Sequence, residues 1–213
     1  MAHYGTTPAL AVFFAASLAL AVTPGPGVLY LIARTLGEGR RSAIASIGGV
    51  ALGNLGNALI ACVGLEVLLL ASSAAFGILK LAGAAYLAWL GIRELRRKSS
   101  RPGCEQLELS HRRAFRDGFL VALLNPKTAL FFAAFLPQFI EPHAPAPFAR
   151  SLLLAGTFVA IAVCTDTLYV LAAGALRSRL ERGFTGVWGR RASGVVYLTL
   201  GAFLALSDAR PAH

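Results

Sequence analysis

Six long apolar runs, separated by short polar segments, dominate the pattern of the sequence. The runs cover approximately residues 8–33, 43–65, 73–92, 114–137, 150–176 and 190–207. Each is continuous, and each is close to the length of about 20 residues that an α-helix needs to cross a bilayer. A membrane β-barrel would instead require short segments of alternating apolar and polar residues. The pattern therefore predicts an all-α integral membrane protein with six transmembrane helices.

The composition excludes several other classes of protein. Of the 213 residues, 56% belong to the set AVILMFWYC and 14% are charged, whereas an ordinary soluble domain has about 25% charged residues. This balance excludes a disordered chain and a water-soluble enzyme of the usual type. The three cysteines are an odd number and two of them lie inside apolar runs, so no disulfide framework is predicted.

The positions of the basic residues predict the orientation of the chain. The formal net charge is +10, and sixteen of the twenty Lys and Arg residues lie within residues 34–41, 93–116 and 177–191. Short segments rich in Lys and Arg stay on the cytoplasmic side of a membrane, which explains the charge without a nucleic-acid partner. With six spans, this alternation predicts that both termini lie on the outer side.

The basic segment 93–113 divides the sequence into two halves of similar design. We interpret it as a cytoplasmic linker between two three-helix repeats, residues 1–92 and 114–213. Because three is odd, the second repeat must cross the membrane in the opposite sense to the first. The expected fold is therefore a pair of inverted repeats, an arrangement common in secondary transporters.

Each half opens with a helix that proline interrupts. The breaks are Thr23-Pro24-Gly25-Pro26-Gly27 in the first run and Asn125-Pro126-Lys127 in the fourth. Proline lacks the backbone donor of a helix, so the carbonyls it frees need other partners in a dry bilayer. Broken helices of inverted repeats meet near the midplane and bind substrate there. Packing kinks without a functional role are the alternative explanation.

Polar residues inside the apolar runs are the candidate binding groups. Asp166 lies halfway along the fifth run and Lys127 lies in the second break. Charges in such places usually pair with each other or line a cavity, so these two residues form either a structural ion pair or a site for substrate and protons. Asn54 and Asn57, near the middle of the second run, either line the same cavity or bridge helices.

Several of these motifs resemble those of a known family. Besides the two breaks, the segments are Lys80-Leu81-Ala82-Gly83-Ala84-Ala85-Tyr86-Leu87-Ala88-Trp89-Leu90-Gly91 and Phe115-Arg116-Asp117-Gly118-Phe119. They resemble the LysE/RhtB family of bacterial amino-acid exporters over about residues 5–205. The resemblance implies an inner-membrane protein that exports amino acids, driven by the proton gradient, and the outer side predicted for both termini would then be the periplasm. The Arg-rich central segment departs from the family pattern.

Given the amino-acid export and proton coupling that the resemblance implies, the expected mechanism is proton antiport with a zwitterionic amino acid. The substrate carboxylate would face Lys127 and the free amides of a half-helix N-terminus, which carry partial positive charge. Asp166 would take the substrate ammonium or the coupling proton. Glycine-rich helix faces, such as that of Gly48, Gly49, Gly53 and Gly56, favour close packing between helices, and they also suggest a homodimer.

Two rival functions remain open at this point. Cys62 and Cys164 lie in corresponding runs of the two halves, which would suit a transmembrane thiol oxidoreductase, although buried cysteines are usually small core residues. A passive channel for small solutes is the other rival. No nucleotide-binding or nucleophile motif is present in the sequence, and the histidines lack metal-ligand spacing, so we expect neither an enzyme nor a cofactor or metal.

Overall fold

The computed structural model describes residues 7–62, 73–96, 104–140, 147–180 and 186–206, and the regular structure in these ranges is helical. One 3-10 turn, Leu136–Phe139, accompanies the α-helices. The α-helices are α1 Thr7–Val22, α2 Pro26–Glu38, α3 Arg40–Cys62, α4 Ser73–Arg96, α5 Cys104–Leu123, α6 Pro126–Phe135, α7 Pro147–Leu180 and α8 Gly186–Leu206. The all-α prediction is confirmed.

The described helices include several that are long and apolar enough to cross a membrane. Arg40–Cys62 and Phe148–Arg177 satisfy this test as single helices. Two bent pairs satisfy it together: Leu10–Val22 with Pro26–Glu38, bent by 44°, and His111–Leu123 with Pro126–Phe135, bent by 50°. The described residues thus hold up to four spans by length and composition, and the count of six spans remains a prediction.

Some predictions fall on residues that the structure does not describe. The linker 93–113 is described only in part, and the chain termini, predicted to lie outside, are beyond the described ranges. The inverted relation of the two halves likewise remains a prediction.

Both proline motifs coincide with helix boundaries. Helix α1 ends at Val22 and α2 begins at Pro26, where the missing N–H is harmless because the first turn of a helix has no acceptor for it. Helix α6 begins at Pro126 in the same way. The chain therefore changes direction inside each of these apolar runs, where backbone groups become available for other contacts.

Glycines allow the helices to pack closely. A Cβ placed on Gly49 of α3 would lie 1.9 Å from the carbonyl oxygen of Phe115, and one on Gly118 of α5 would lie 2.4 Å from that of Ser46. Helices α4 and α8 approach each other through Gly91 and Gly194 in the same manner. These glycine faces are filled by contacts within the chain, so they supply no argument for a homodimer, which stays a prediction.

Six phenylalanines form an aromatic cluster beyond the breaks. Their ring centroids lie 4.9–6.5 Å apart in neighbouring pairs. The members are Phe13 of α1, Phe131, Phe132 and Phe135 of α6, Phe139 of the 3-10 turn and Phe158 of α7. The cluster joins the α1 side of the first break to the α6 side of the second.

Candidate functional site

The two helix breaks lie against each other. A Cβ placed on Gly25 would lie 3.1 Å from Cδ of Lys127, and one placed on Gly27 would lie 3.9 Å from Nδ2 of Asn125. Glycine at position 25 leaves room for the aliphatic chain of Lys127 to cross the first break. The second break therefore reaches into the first through its lysine.

The prolines determine which carbonyls of α1 lose their helical partners. In an α-helix each carbonyl accepts from the N–H four residues later, and Pro24 and Pro26 have none to offer to Leu20 and Val22. Lys127 Nζ donates to the carbonyl of Leu20 at 3.0 Å.

Side chains from two other helices also bind the carbonyls of Val22 and Thr23 at this end. Lys127 Nζ also donates to the carbonyl of Thr23 at 2.7 Å. The hydroxyl of Tyr169, on α7, donates to the carbonyl of Val22 at 2.6 Å. Lys127 and Tyr169 thus cap the carbonyl end of α1 from two different helices.

Replacing Tyr169 with Phe should measurably destabilise the first break. The change leaves the carbonyl of Val22 without its partner, which is expected to lower the free energy of unfolding by about 1 kcal/mol. The measurement is the thermal unfolding midpoint of the purified protein in detergent. Thr157→Val is the control, because among the described residues the exposed Thr157 hydroxyl bonds only to the Leu153 carbonyl in its own helix. Equal midpoints for the two variants would contradict this role of Tyr169.

The amino ends of the two half-helices differ. The side chain of Asn125 caps α6, because its Oδ1 accepts from the backbone N–H of Lys127 at 3.1 Å. The N-cap residue of helix α2 is Gly25, and glycine has no side chain that could cap the helix. The first amides of α2, at Gly27 and Val28, therefore remain available to an anion at the positive end of the helix dipole.

A cavity of about 50 Å³ lies where the breaks meet, with space for roughly three to five water molecules. Its wall comes from α1, α2, α3, α5, α6, α7 and the residues of both breaks. The lining residues are Leu20, Ala21, Thr23, Gly25, Gly27, Val28, Val50, Asn54, Ala122, Asn125, Lys127, Thr128, Phe158, Ala162, Thr165 and Asp166. The polar groups are concentrated at the breaks and on α7.

Asp166 is the acidic residue of this wall. Its side chain belongs to a residue that is 5% exposed, and within the described ranges it accepts no hydrogen bond. Asp166 and Lys127, both among the described residues, do not form an ion pair, because their charged groups lie more than 4 Å apart. A buried carboxylate is costly unless it is paired, hydrogen-bonded or neutralised. A polar ligand in the cavity would provide such a partner.

The structure gathers most of the residues that the sequence singled out. Asn54, Asn125, Lys127 and Asp166 line the cavity together with Thr23, Gly25 and Gly27. The prolines Pro24, Pro26 and Pro126 set the breaks but do not line it. Asn57 does not line it either, and its Nδ2 donates to the carbonyl of Ala122 at 2.9 Å, which bridges α3 to α5.

Sequence reasoning missed other residues near the breaks. Thr128 and Thr165 line the cavity, and their positions beside Lys127 and Asp166 were the signal that could have indicated them. Phe158 lines the cavity and is also a member of the aromatic cluster, so the two adjoin at this residue. The arginines that pair with the buried Asp117 were also missed, because their positions next to polar segments indicated loop residues.

The fold and the cavity define a helical membrane protein with a polar chamber at two interrupted helices, an arrangement that also occurs in membrane transporters. A model of the protein family described as LysE type translocator matches residues 18–208 of the chain. The chain belongs to this LysE family of membrane transporters, as its sequence motifs predicted.

Individual relatives are named for efflux. The homoserine/homoserine lactone efflux protein of Salmonella typhimurium is 34% identical over 190 residues, which cover 89% of this chain and 92% of the relative. The leucine efflux protein of the same organism is 26% identical over 161 residues, covering 75% and 76%. An uncharacterized membrane protein of Vibrio cholerae is 33% identical over 127 residues, covering 59% and 62%. No solved structure shows a significant match.

Proposed function

We propose that this chain is a secondary transporter of the bacterial inner membrane that exports amino acids or close derivatives. The observation that carries the proposal is the buried Asp166 carboxylate, which faces a cavity bounded by both helix breaks and has no partner among the described residues. The names of the efflux relatives support the substrate class. Membership of a transporter family supports a function that is not enzymatic.

A zwitterionic amino acid matches the charges around the cavity. Its ammonium would bind Asp166, and its carboxylate would bind the uncapped amides of Gly27 and Val28 beside Lys127. Asn54 and Asn125 add side-chain amides to the same wall. The carboxylate would thus meet the positive end of a half-helix, and the ammonium would meet a carboxylate.

Transport requires the cavity to change shape. A space for a few water molecules is less than an amino acid needs, so the breaks must move apart to admit it. In the proposed arrangement residues 1–92 and 114–213 are inverted three-helix repeats that rock against each other about the linker 93–113. Six spans would place both termini in the periplasm. In a homodimer, each copy would contain its own transport pathway.

Proton antiport would use the same acidic group. Asp166 would bind a proton when the substrate ammonium leaves on the outer side and release it to the cytoplasm before the next substrate binds. One group that holds either a proton or a substrate couples the two movements. An inward proton gradient would then drive export.

The thiol positions favour a carrier over an oxidoreductase. Cys164 is exposed on α7, Cys62 is half-buried, and neither lines the cavity. Replacing both with Ser should therefore leave efflux within about twofold of the parent protein, a change below 0.5 kcal/mol. The measurement is amino-acid efflux from cells with matched membrane abundance. Complete loss of activity in an abundant, folded double variant would transfer support to the redox function.

Efflux from preloaded cells tests the proposed function. Cells that express the protein are loaded with a panel of amino acids, including leucine and homoserine, and with homoserine lactone. Export of at least one compound against its concentration gradient, abolished by a protonophore, is the expected result. Equilibration without accumulation outside would indicate a passive channel, and no export of any compound would contradict the proposal.

A further inference from the structure

A second group of charges lies away from the cavity, around Asp117 of α5. Asp117 is fully buried and accepts hydrogen bonds from Arg34 of α2 at 3.1 Å and from Tyr86 of α4 at 3.0 Å. Arg93 of α4 also forms an ion pair with it. This buried carboxylate therefore ties helices from the first half of the sequence to a helix of the second half.

The network continues around Arg34, whose side chain is 4% exposed. Arg34 forms an ion pair with Glu38 at 3.1 Å and donates to the hydroxyls of Tyr30 at 3.0 Å and Ser42 at 3.1 Å. Arg34 and the half-buried Arg93 thus face two carboxylates inside the protein, and a third arginine, the exposed Arg116, lies 3.5 Å from Asp117. We call Arg34, Glu38, Tyr86, Arg93 and Asp117 the charge network.

The charge network and the aromatic cluster lie on opposite sides of the two breaks. Arg34 follows Gly25 by nine residues and Asp117 precedes Asn125 by eight, which is about 12–14 Å along a helix in each case. The aromatic cluster lies in the other direction, before the first break and after the second. Along both broken runs the order is therefore charge network, break with cavity, and aromatic cluster.

Opening the charge network and opening the aromatic cluster would differ in free energy. Separating aromatic rings exposes apolar surface to water, which is unfavourable in proportion to area. Separating buried ion pairs restores the hydration of the charges, so a buried pair and its hydrated, separated state differ little in free energy. A contact of this kind across two halves of a protein suits a closure that must open and close repeatedly.

We propose that the charge network is the cytoplasmic gate of the transport pathway. It is closed in this structure and breaks when the cavity opens to the cytoplasm, while the aromatic cluster closes the outer side. This proposal rests on the proposed function and on the orientation expected from the basic segments that adjoin the network. Arg93 and Tyr86 would leave Asp117 together as α4 moves away from α5.

Thiol accessibility from each membrane face tests the gate. The three cysteines are replaced with Ser, and Ala162→Cys places a single thiol in the buried wall of the cavity. An impermeant methanethiosulfonate reagent is then applied to inside-out and to right-side-out vesicles. Arg93→Gln is the test variant because Arg34 still pairs with Asp117, so the buried acid is not left alone.

Loss of one ion pair should raise the population that is open to the cytoplasm. We expect Arg93→Gln to be labelled about tenfold faster in inside-out vesicles, with no increase in right-side-out vesicles. Arg93→Lys, which keeps a cationic donor, should show a smaller increase. Arg113→Gln, an exposed arginine on the same helix α5 as Asp117, is the control and should not change either rate.

Two results would overturn the gate. One is an unchanged labelling rate in Arg93→Gln, and the other is an equal increase from both faces, which would indicate a loosened structure. If Arg93→Gln does not accumulate, Tyr86→Phe removes a single donor and is measured in the same way, with an unchanged rate again contradicting the gate. Because labelling requires no transported substrate, failure here leaves the efflux result as an independent test of the proposed function.

Discussion

Asp166→Asn is expected to abolish efflux while the protein remains folded in the membrane. The substitution keeps the size of the side chain but removes its negative charge and its ability to exchange a proton. Loss of a charged hydrogen bond to the substrate ammonium corresponds to about 10–100-fold in affinity, and loss of the proton site would uncouple transport as well. The measurement is efflux of the best substrate, normalised to membrane abundance.

Cys164→Ser provides the matched control for Asp166→Asn. It lies two residues away on α7 with an exposed side chain, so it should retain efflux at the parent level. Adding Lys127→Met to Asp166→Asn should not restore transport, because no ion pair between these two residues needs to be balanced in the described structure. Recovery of transport in the double variant would remove Asp166 from the site.

Gly49→Ala should prevent stable folding, the largest structural effect we expect from a single methyl group. The added Cβ would lie 1.9 Å from the carbonyl oxygen of Phe115 and 2.8 Å from the backbone nitrogen of Phe119. Both contacts are with backbone, so relief requires α3 and α5 to separate. Overpacking of this severity costs about 3 kcal/mol or more, and the separation would also disturb the cavity between these helices.

The measurement for Gly49→Ala is membrane abundance together with the thermal unfolding midpoint in detergent. Gly156→Ala on α7 is the control, because, apart from the backbone next to it in its own helix, no atom of the described residues lies within 4 Å of the position where its Cβ would be. In a helix this change should be neutral or stabilising by up to about 1 kcal/mol. If both variants accumulate and unfold alike, the close contact of α3 with α5 is not required for stability.

The helix breaks could be predicted from the sequence because their cause is local. Pro24, Pro26 and Pro126 lack the N–H that a continuing helix needs, and no distant contact changes that. Even the freed carbonyls of Leu20 and Val22 follow from counting four residues back. Their partners Lys127 and Tyr169 could not be predicted, since they arrive from segments more than a hundred residues away.

The charge network was missed for a related reason. Arg34 and Arg93 flank apolar runs and were interpreted through the rule for orientation, which assigns loop arginines to the cytoplasm. Asp117 follows a group of exposed arginines and gives no local signal that it is buried. Only the packing of α2 and α4 against α5 brings these groups together, and periodicity within one helix contains no information about that packing.

Asp166 and Lys127 could be predicted in part: the sequence indicated the residues but not their contacts. A charge inside an apolar run indicates a cavity or a partner wherever it occurs, so both residues could be selected from the sequence. Whether the two residues form an ion pair or line a cavity depended on the direction of the Lys127 side chain, which the sequence does not give. Its ammonium group points to the carbonyls of Leu20 and Thr23, and Asp166 remains without a partner in the described part of the cavity.

Transport by the purified protein in liposomes tests the central claim most directly. The protein and its Asp166→Asn variant are reconstituted in parallel, the liposomes are loaded with labelled amino acid, and the external solution is made acidic to impose an inward proton gradient. The account predicts rapid release of substrate by the parent protein, slowed when the gradient is collapsed, and release at the protein-free rate by Asp166→Asn. Equal, gradient-driven release by both proteins would contradict the account, because transport would then proceed without the carboxylate placed at its centre.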